Sequence, residues 1–498
     1  MAPPNLTNSF VLADQPEVFF SSAETSSGVT RATRAGQARR IARGLYTRNL
    51  GEPLETVTRR NWAAIAAGYH PGAVVTDRTA LEARPADDGS VFLDVGPGDR
   101  AYLSPLKLPG LLLRPRHGPG EIDGDSPFLS GLWLASRPRA FLENLRPSRA
   151  RSGVRRTLDR AELEDRLERL LTTGGEPALN HLRDQARELA PKLDAQREFE
   201  ELNKLIGALL GTREAELTGA SARARQDGVP YDSARIELFG ALHSELLSGE
   251  RITRPSATGQ PSAVFAFYEA YFSNYIEGTE FELEEAEAIV FAGQIPQGRP
   301  EDAHDIIGTF RLVNDPIANR RVPTSADDLI AVLQAQHSQM LSERPDVRPG
   351  QFKERPNRAG DTVFVAPELV RGTLTRGYEY YATLPTGFAR AVFVMFLVSE
   401  VHPFDDGNGR IARVMMNSEL TAVSEQRVIV PTVYRDDYLQ ALRALSRGGR
   451  AEPIVRVIDF AQQHAAAIDW SELNIARSEL AATHAFEEPD GAARLKLP

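Results

Sequence analysis

The period of the apolar positions changes twice along the chain. Over residues 1–55 they outline a short helical stretch, a basic helix near Ser26–Ala35, a turn at Gly36 and a strand-like segment Ala38–Thr47. From about Trp62 to Ile122 the pattern shortens to β-like runs, Gly72–Thr76, Ser90–Val95 and Lys107–Arg114, punctuated by Gly and Pro. Beyond about Pro127 the spacing is helical, and Leu163, Leu167, Leu170 and Leu171 fall on one face between charged residues. A break at Arg251–Ser262 precedes a largely helical stretch, Phe265–Ala467, with one β-like interruption at Asp361–Val365. The pattern predicts a mainly α protein preceded by an α+β region. Its expected segments are 1–55, an α+β part 56–150, a helical connector 151–255, a main helical domain 256–470 and a tail 471–498.

Composition narrows the class. A chain of 498 residues leaves room for two or three domains, and 42% hydrophobic with 25% charged residues excludes a disordered or fibrous protein. The absence of cysteine rules out disulfides, thiolate metal sites and cysteine nucleophiles, and fits a reducing compartment. The N-terminus shows no basic segment followed by an apolar one, and the longest apolar run, Ala391–Val398, is far shorter than the ~20 residues a bilayer requires. The expectation is a cytoplasmic protein without a membrane partner. Dense mixed charge over 159–225 reads as solvated helix faces, with a helical homodimer contact as the alternative.

The net charge of −10 argues against a surface coated in nucleic acid, yet eight arginines and two acids lie between Arg31 and Arg60. Segregated positive charge of this kind attracts phosphate backbones. The order of basic helix and strand is that of a recognition helix followed by a β-wing.

The densest chemistry is His402-Pro-Phe-Asp-Asp-Gly-Asn-Gly-Arg-Ile-Ala-Arg413, between an apolar helix, Thr386–Ser399, and a second helix from Arg410 to about Val423. A glycine-flanked turn opening into a helix offers free N–H groups and the positive end of the helix dipole to an anion. Arg410 and Arg413, three apart, project from one face and can hold a polyphosphate. Asp406 at the mouth is placed to complete a magnesium shell, and His402 can take a proton at neutral pH. Phe404 is expected to anchor the loop in the core. Together these residues describe nucleotide phosphate chemistry with a side-chain hydroxyl as nucleophile. A metal reading of Asp302-Ala-His-Asp305 is declined, His304 being expected to orient a helix end.

This stretch resembles the signature of the Fic (Fido-fold) family, His-x-Phe-x-Asp/Glu-Gly-Asn-Gly-Arg-x-x-Arg, without a departure. The resemblance implies a helical core with a short β-hairpin flap and transfer of AMP from ATP to a Ser, Thr or Tyr hydroxyl of a target protein. By it His402 deprotonates the hydroxyl and Asp406 holds magnesium. Asn408 lines the phosphate cradle with the Gly407 and Gly409 backbone, and Arg410 and Arg413 clamp the outer phosphates. Ser273-Asn-Tyr-Ile-Glu277-Gly278 resembles the inhibitory motif of one class of these enzymes, which implies that Glu277 pairs with Arg413 and blocks the γ-phosphate site. Ser273 and Glu277 share a helical face. Gly360–Val370 sits where the family has its flap, with Thr362, Val363 and Phe364 expected to align the target by strand addition and Phe364 to cover it, or Val363–Val365 to be core.

The segment ending in Arg39-Arg-Ile-Ala-Arg-Gly-Leu-Tyr46 resembles the wing of winged-helix domains in AbiEi-type antitoxin regulators. That likeness extends over about residues 15–190 and takes in Thr76–Leu81. It implies DNA contacts by Arg31, Arg34, Arg39, Arg40 and Arg43, and a toxin–antitoxin or phage-defence setting. Three readings stay open: an autoinhibited AMP transferase, a DNA-binding regulator that senses nucleotide, and an enzyme that removes AMP or transfers another phosphate-containing group.

Overall fold

A computed structural model describes residues 10–98, 103–149, 153–249, 253–256, 262–488 and 493–498. Its contacts divide the chain into two compact units, residues 1–226 and 227–498. Among the described residues no helix is long and apolar enough to cross a membrane.

The first unit begins with a three-stranded antiparallel sheet, Val18–Phe20, Leu45–Thr47 and Arg39–Ala42 in spatial order, packed on the helix Ser26–Arg34. The strand expected at Ala38–Thr47 is therefore a hairpin, turned at Gly44 with φ +79°. Among the described residues the only helical turn before the basic helix is a short 3-10 segment, Leu12–Asp14. Two helices that the β-like texture hid follow, Leu54–Arg60 and Trp62–Tyr69, and bury Val57, Trp62, Ile65 and Ala66.

A six-stranded mixed sheet comes next, in the order Leu106–Leu108, Leu111–Arg116, Ser90–Asp94, Val74–Val75, Trp133–Leu134 and Ser126–Pro127. The run Lys107–Arg114 splits into two strands because Pro109 and Gly110, at φ +63°, turn the chain. Behind the sheet, buried Arg139 donates to Asp94 at 2.7 Å and Asp125 at 2.5 Å, while Arg116 joins Asp77 and Glu143, each at 2.9 Å. Charges sequestered in this way are tolerated because each has a paired and hydrogen-bonded counter-charge. The long helix Arg160–Leu189 starts at a capping box, Asp159 with Glu162, and bends where Gly175 sits at φ +66° ahead of Pro177.

The second unit is helical around Phe388–Val401, whose residues Ala391–Val398 are all at 0% exposure. A helix apolar on every side is stable only when wrapped on every side. Its neighbours include Asn408–Ala422, Val370–Thr383 and Ser233–Ser248, the last contributing Phe239, Leu242 and Leu246 to the main core although the pattern had put it in the connector. A second, aromatic cluster centres on Ala263–Ile276. The expected tail 471–498 is part of it: Leu473–Ala482 is a helix, Phe486 stacks on Phe272 with centroids 5.4 Å apart, and Tyr275 donates to Glu488 at 2.5 Å. The Pro/Gly break at 251–262 lies largely outside the described residues.

Candidate active site

The turn joining the two central helices is set by backbone conformation. His402 closes Phe388–Val401 in the left-handed region at φ +52°, Pro403 prevents the helix from continuing, and Gly407 at φ +71° opens Asn408–Ala422. A β-unbranched but bulky residue at positive φ stores about 1–3 kcal/mol of strain, which persists only where surroundings hold it.

Those surroundings are side chains that the motif alone did not announce. Asn408 does not line a cradle with its amide. It is 2% exposed, accepts the Phe404 N–H at 2.8 Å and donates to the Phe404 carbonyl at 2.8 Å, locking the turn from within. Phe404 is fully buried, as expected, and stacks on the His337 ring at 3.7 Å. His337 accepts the Gly350 N–H at Nδ1 and donates from Nε2 to the Asp406 carbonyl at 3.0 Å. Burial pushes His337 down to about 4, so the neutral ring can do both. Among the described residues no protein acceptor takes the N–H groups of Gly407, Asn408 and Gly409, which leaves that end of the helix free for an anion.

His402 is half-buried. Its Nδ1 lies 3.1 Å from the Ser399 carbonyl, which fixes the proton on Nδ1 and leaves Nε2 as the lone-pair nitrogen. Burial pushes its pKa down to about 4, with Lys353 adding to the shift while the Ser399 carbonyl and Glu277 work against it. Phe364 lies flat on the imidazole, centroids 3.7 Å apart and planes 2° from parallel. The flap residue expected to cover a target thus covers His402.

The flap itself is a minimal hairpin, Arg358–Ala359 paired with Thr362–Val363 and turned at Gly360. Val363 is exposed, Val365 is core, and Thr362 accepts from Arg447 at 3.0 Å.

Arg410 and Arg413 point inward. Arg413 donates from Nη2 to Glu277 at 2.7 Å and to the Ser273 carbonyl at 2.8 Å, and from Nε to the Ser273 hydroxyl at 3.0 Å. Burial works against its charge, and Glu277 and Tyr438 together more than offset this, holding the guanidinium above its ordinary range. Gly278, at φ +91°, ends the helix just past Glu277. A Cβ on Gly409 would collide with the Glu277 carboxylate, so the second glycine of the motif makes the seat that Glu277 fills.

Arg410 is held by Asp305 at 2.5 Å, Asp406 at 3.1 Å and Asn274 at 3.3 Å. Asp305 also pairs with Arg344, so the carboxylate beside His304 serves two arginines. Asn274 and Asp305 were missed because nothing local marks a residue whose partner lies more than a hundred positions away.

A cavity of about 530 Å³ collects His402, Gly409, Arg413, Glu277 and the flap, with an apolar wall of Ile276, Leu439 and Leu442. Among the described residues no cluster of three or more acids or histidines could hold a metal by itself. Asp406 is a single half-exposed carboxylate, which suits a magnesium ion that takes its remaining ligands from phosphates and water.

The DNA-contact candidates belong to the first unit. Arg31, Arg34, Arg40 and Arg43 are exposed, whereas Arg39 is not a free contact. It donates to the Asn49 carbonyl at 3.0 Å and the Glu52 carbonyl at 2.5 Å, tying the strand Arg39–Ala42 to the following loop.

Residues 326–420 match the Fic/DOC family. The chain is 27% identical over 201 residues to the protein adenylyltransferase fic-1 of Caenorhabditis briggsae, covering 39% of each chain. It is 26% identical over 202 residues to the protein adenylyltransferase Fic of Nematostella vectensis, covering 39% of this chain and 46% of that one. It therefore spans less than half the length of these curated relatives. A solved structure of residues 134–508 of Fic-1 from C. elegans aligns over 59% of this chain and 90% of its own, at 19% identity and TM-score 0.35.

His402 on the turn and His337 on the helix Ala326–Met340 should both stay neutral at pH 6. Because their folded values near 4 lie below the unfolded ~6.5, stability is complete above about 6.5 and is lost as pH falls towards 4, by about 3 kcal/mol for His337. Histidine NMR titration with parallel thermal melts checks this; a His337 transition near 6.5 would refute it.

Proposed function

We propose that this chain, a member of the Fic/DOC family through residues 326–420, transfers AMP from ATP to a hydroxyl of a target protein and is held in check by Glu277. The observation that carries the reading is the joining of a base, an anion-ready helix end and a buried arginine–glutamate pair around one cavity.

The Gly407–Gly409 backbone and Arg410 take the polyphosphate, and the wall of Ile276, Leu439 and Leu442 receives the base. The target hydroxyl gives its proton to His402 Nε2, its oxygen bonds to the α-phosphorus, and the bond to the bridging oxygen breaks to release pyrophosphate. In the empty cavity the imidazole is a weak base; a polyanion beside it favours the protonated form and raises its pKa as the substrate arrives. Magnesium bound at Asp406 would neutralise phosphate charge.

Glu277 and a γ-phosphate compete for the same guanidinium, and the carboxylate is always present. If their pairing favours the closed form by about 1.4 kcal/mol, productive ATP binding falls about tenfold. Replacing Glu277 by Gly should raise labelling of targets or of the chain itself with α-labelled ATP; unchanged incorporation removes the autoinhibition. Intact-mass analysis identifies the transferred group and separates AMP from any other phosphate-containing donor. In that background His402→Ala should lower transfer by about two orders of magnitude or more while nucleotide still binds. Retained activity would overturn the base assignment.

A second reading concerns the first unit. Exposed Arg31, Arg34, Arg40 and Arg43 form no ion pair among the described residues, which favours a nucleic-acid contact by the helix and wing. Each phosphate neutralised adds about 0.9 to the slope of log affinity against log salt. Gel retardation on the gene's own promoter should therefore weaken with salt and with Arg31→Glu and Arg34→Glu. No retardation at low salt discards this reading.

A further inference from the structure

The four carbonyls that run through the catalytic turn, Val401 to Phe404, are all engaged by one five-residue segment. The Lys353 backbone N–H donates to Pro403 at 2.8 Å, and its Nζ donates to Val401 at 3.3 Å. The Asn357 amide donates to Phe404 at 3.0 Å and to His402 at 3.4 Å. The two side chains are themselves joined, Lys353 Nζ to Asn357 Oδ1 at 2.6 Å. Lys353 is 3% exposed and, among the described residues, has no acidic partner within salt-bridge distance, Asp405 and Glu400 being paired with Arg348 and Arg235; this is an expensive place for an ammonium unless its donors are in use.

Asn357 is also the residue before the flap. Its carbonyl accepts the Phe364 N–H at 3.2 Å, closing the hairpin, and the Phe364 ring then lies on the His402 imidazole. One unit therefore holds His402 from its backbone side and from its ring face.

We propose that Lys353 and Asn357 are positioning residues that set the His402 imidazole for proton transfer and register the flap to the same loop. The strain at His402, with φ +52°, requires such a hold. Burial pushes the Lys353 amine down to about 7, and a neutral amine still has two N–H donors for its two acceptors, so the bracket does not depend on the charge. The backbone strap from Lys353 to Pro403 survives any side-chain change, which keeps the variants folded.

The kinetic arm of the test rests on the AMP-transfer reading; a spectroscopic arm does not. In the Glu277→Gly background, Lys353→Met and Asn357→Leu should each lower kcat by about tenfold or more, since small misplacements of reacting groups are costly. The Kd for ATP should change by less than about threefold, and Lys353→Arg should recover most of the loss. A kcat within about threefold of the parent, or an equal loss of ATP affinity, overturns the proposal. Imidazole nitrogen NMR, with His402 assigned by its absence in His402→Ala, should show one Nδ1–H tautomer in the parent and an averaged or shifted signal in both variants. An unchanged His402 signal overturns the bracket even if no AMP transfer is found, whereas a shifted signal in an inactive parent retains the bracket and rejects the transfer reading.

Discussion

Everything at the candidate site depends on satisfying a buried turn from the inside. Pro403, Phe404 and Gly407 in the segment between the two central helices are buried, and the polar groups enclosed with them must find partners there or cost free energy. Asn408, His337, Asn357 and Lys353 supply those partners. Because the inward-facing carbonyls are taken, the N–H groups at the start of Asn408–Ala422 are left for a ligand. Pre-organised donors of this kind are effective because they need not rearrange when charge arrives.

The same economy appears in the arginines. Arg410 is fixed by two carboxylates and Asn274 and behaves as part of the frame, whereas Arg413 has Glu277 as its single carboxylate partner beside the neutral Ser273, and that carboxylate is on a side chain about a third exposed. The first is suited to contribute a constant field, the second to exchange its counter-ion. The helix bearing Glu277 is anchored two turns earlier, where Glu269 pairs with Arg427 and accepts from Asn417, each at 2.8 Å. Exchange at Arg413 therefore needs only the last turn of that helix or the Glu277 side chain to move.

Much of this was legible in the sequence because it is local. The twelve residues from His402 to Arg413 bring base, turn and arginines together by backbone geometry alone, and the apolar run Ala391–Val398 announces the buried helix before them. The Glu277–Arg413 contact was legible only through family resemblance, since its partners are 136 positions apart. Lys353, Asn357, His337 and Asp305 were not legible, because each acts on a backbone or arginine that only the folded chain brings near. In the first unit the runs Gly72–Thr76, Ser90–Val95 and Lys107–Arg114, bounded by Gly and Pro, do hold strands, whereas Val18–Phe20 and Trp133–Leu134 fall where the pattern reads as helical. The helices Leu54–Arg60 and Trp62–Tyr69 were lost, since the second is apolar on nearly every side and gives no helical period.

Under the proposed autoinhibition, the burial of Arg413 constrains how Glu277 can leave. Leaving a buried guanidinium unpaired costs about 3–5 kcal/mol, more than thermal fluctuation readily supplies. Glu277 is therefore expected to leave as an anionic replacement arrives, so that opening and polyphosphate binding are one coupled exchange and not two successive events. In a shared guanidinium the inhibitor's strength is set by the difference between carboxylate and phosphate as partners, and not by the absolute strength of either. A frame that kept Arg413 solvated would make the carboxylate easy to displace but the phosphate weakly held. Under the proposed function burial strengthens both, which would keep the resting state tight without weakening a bound phosphate.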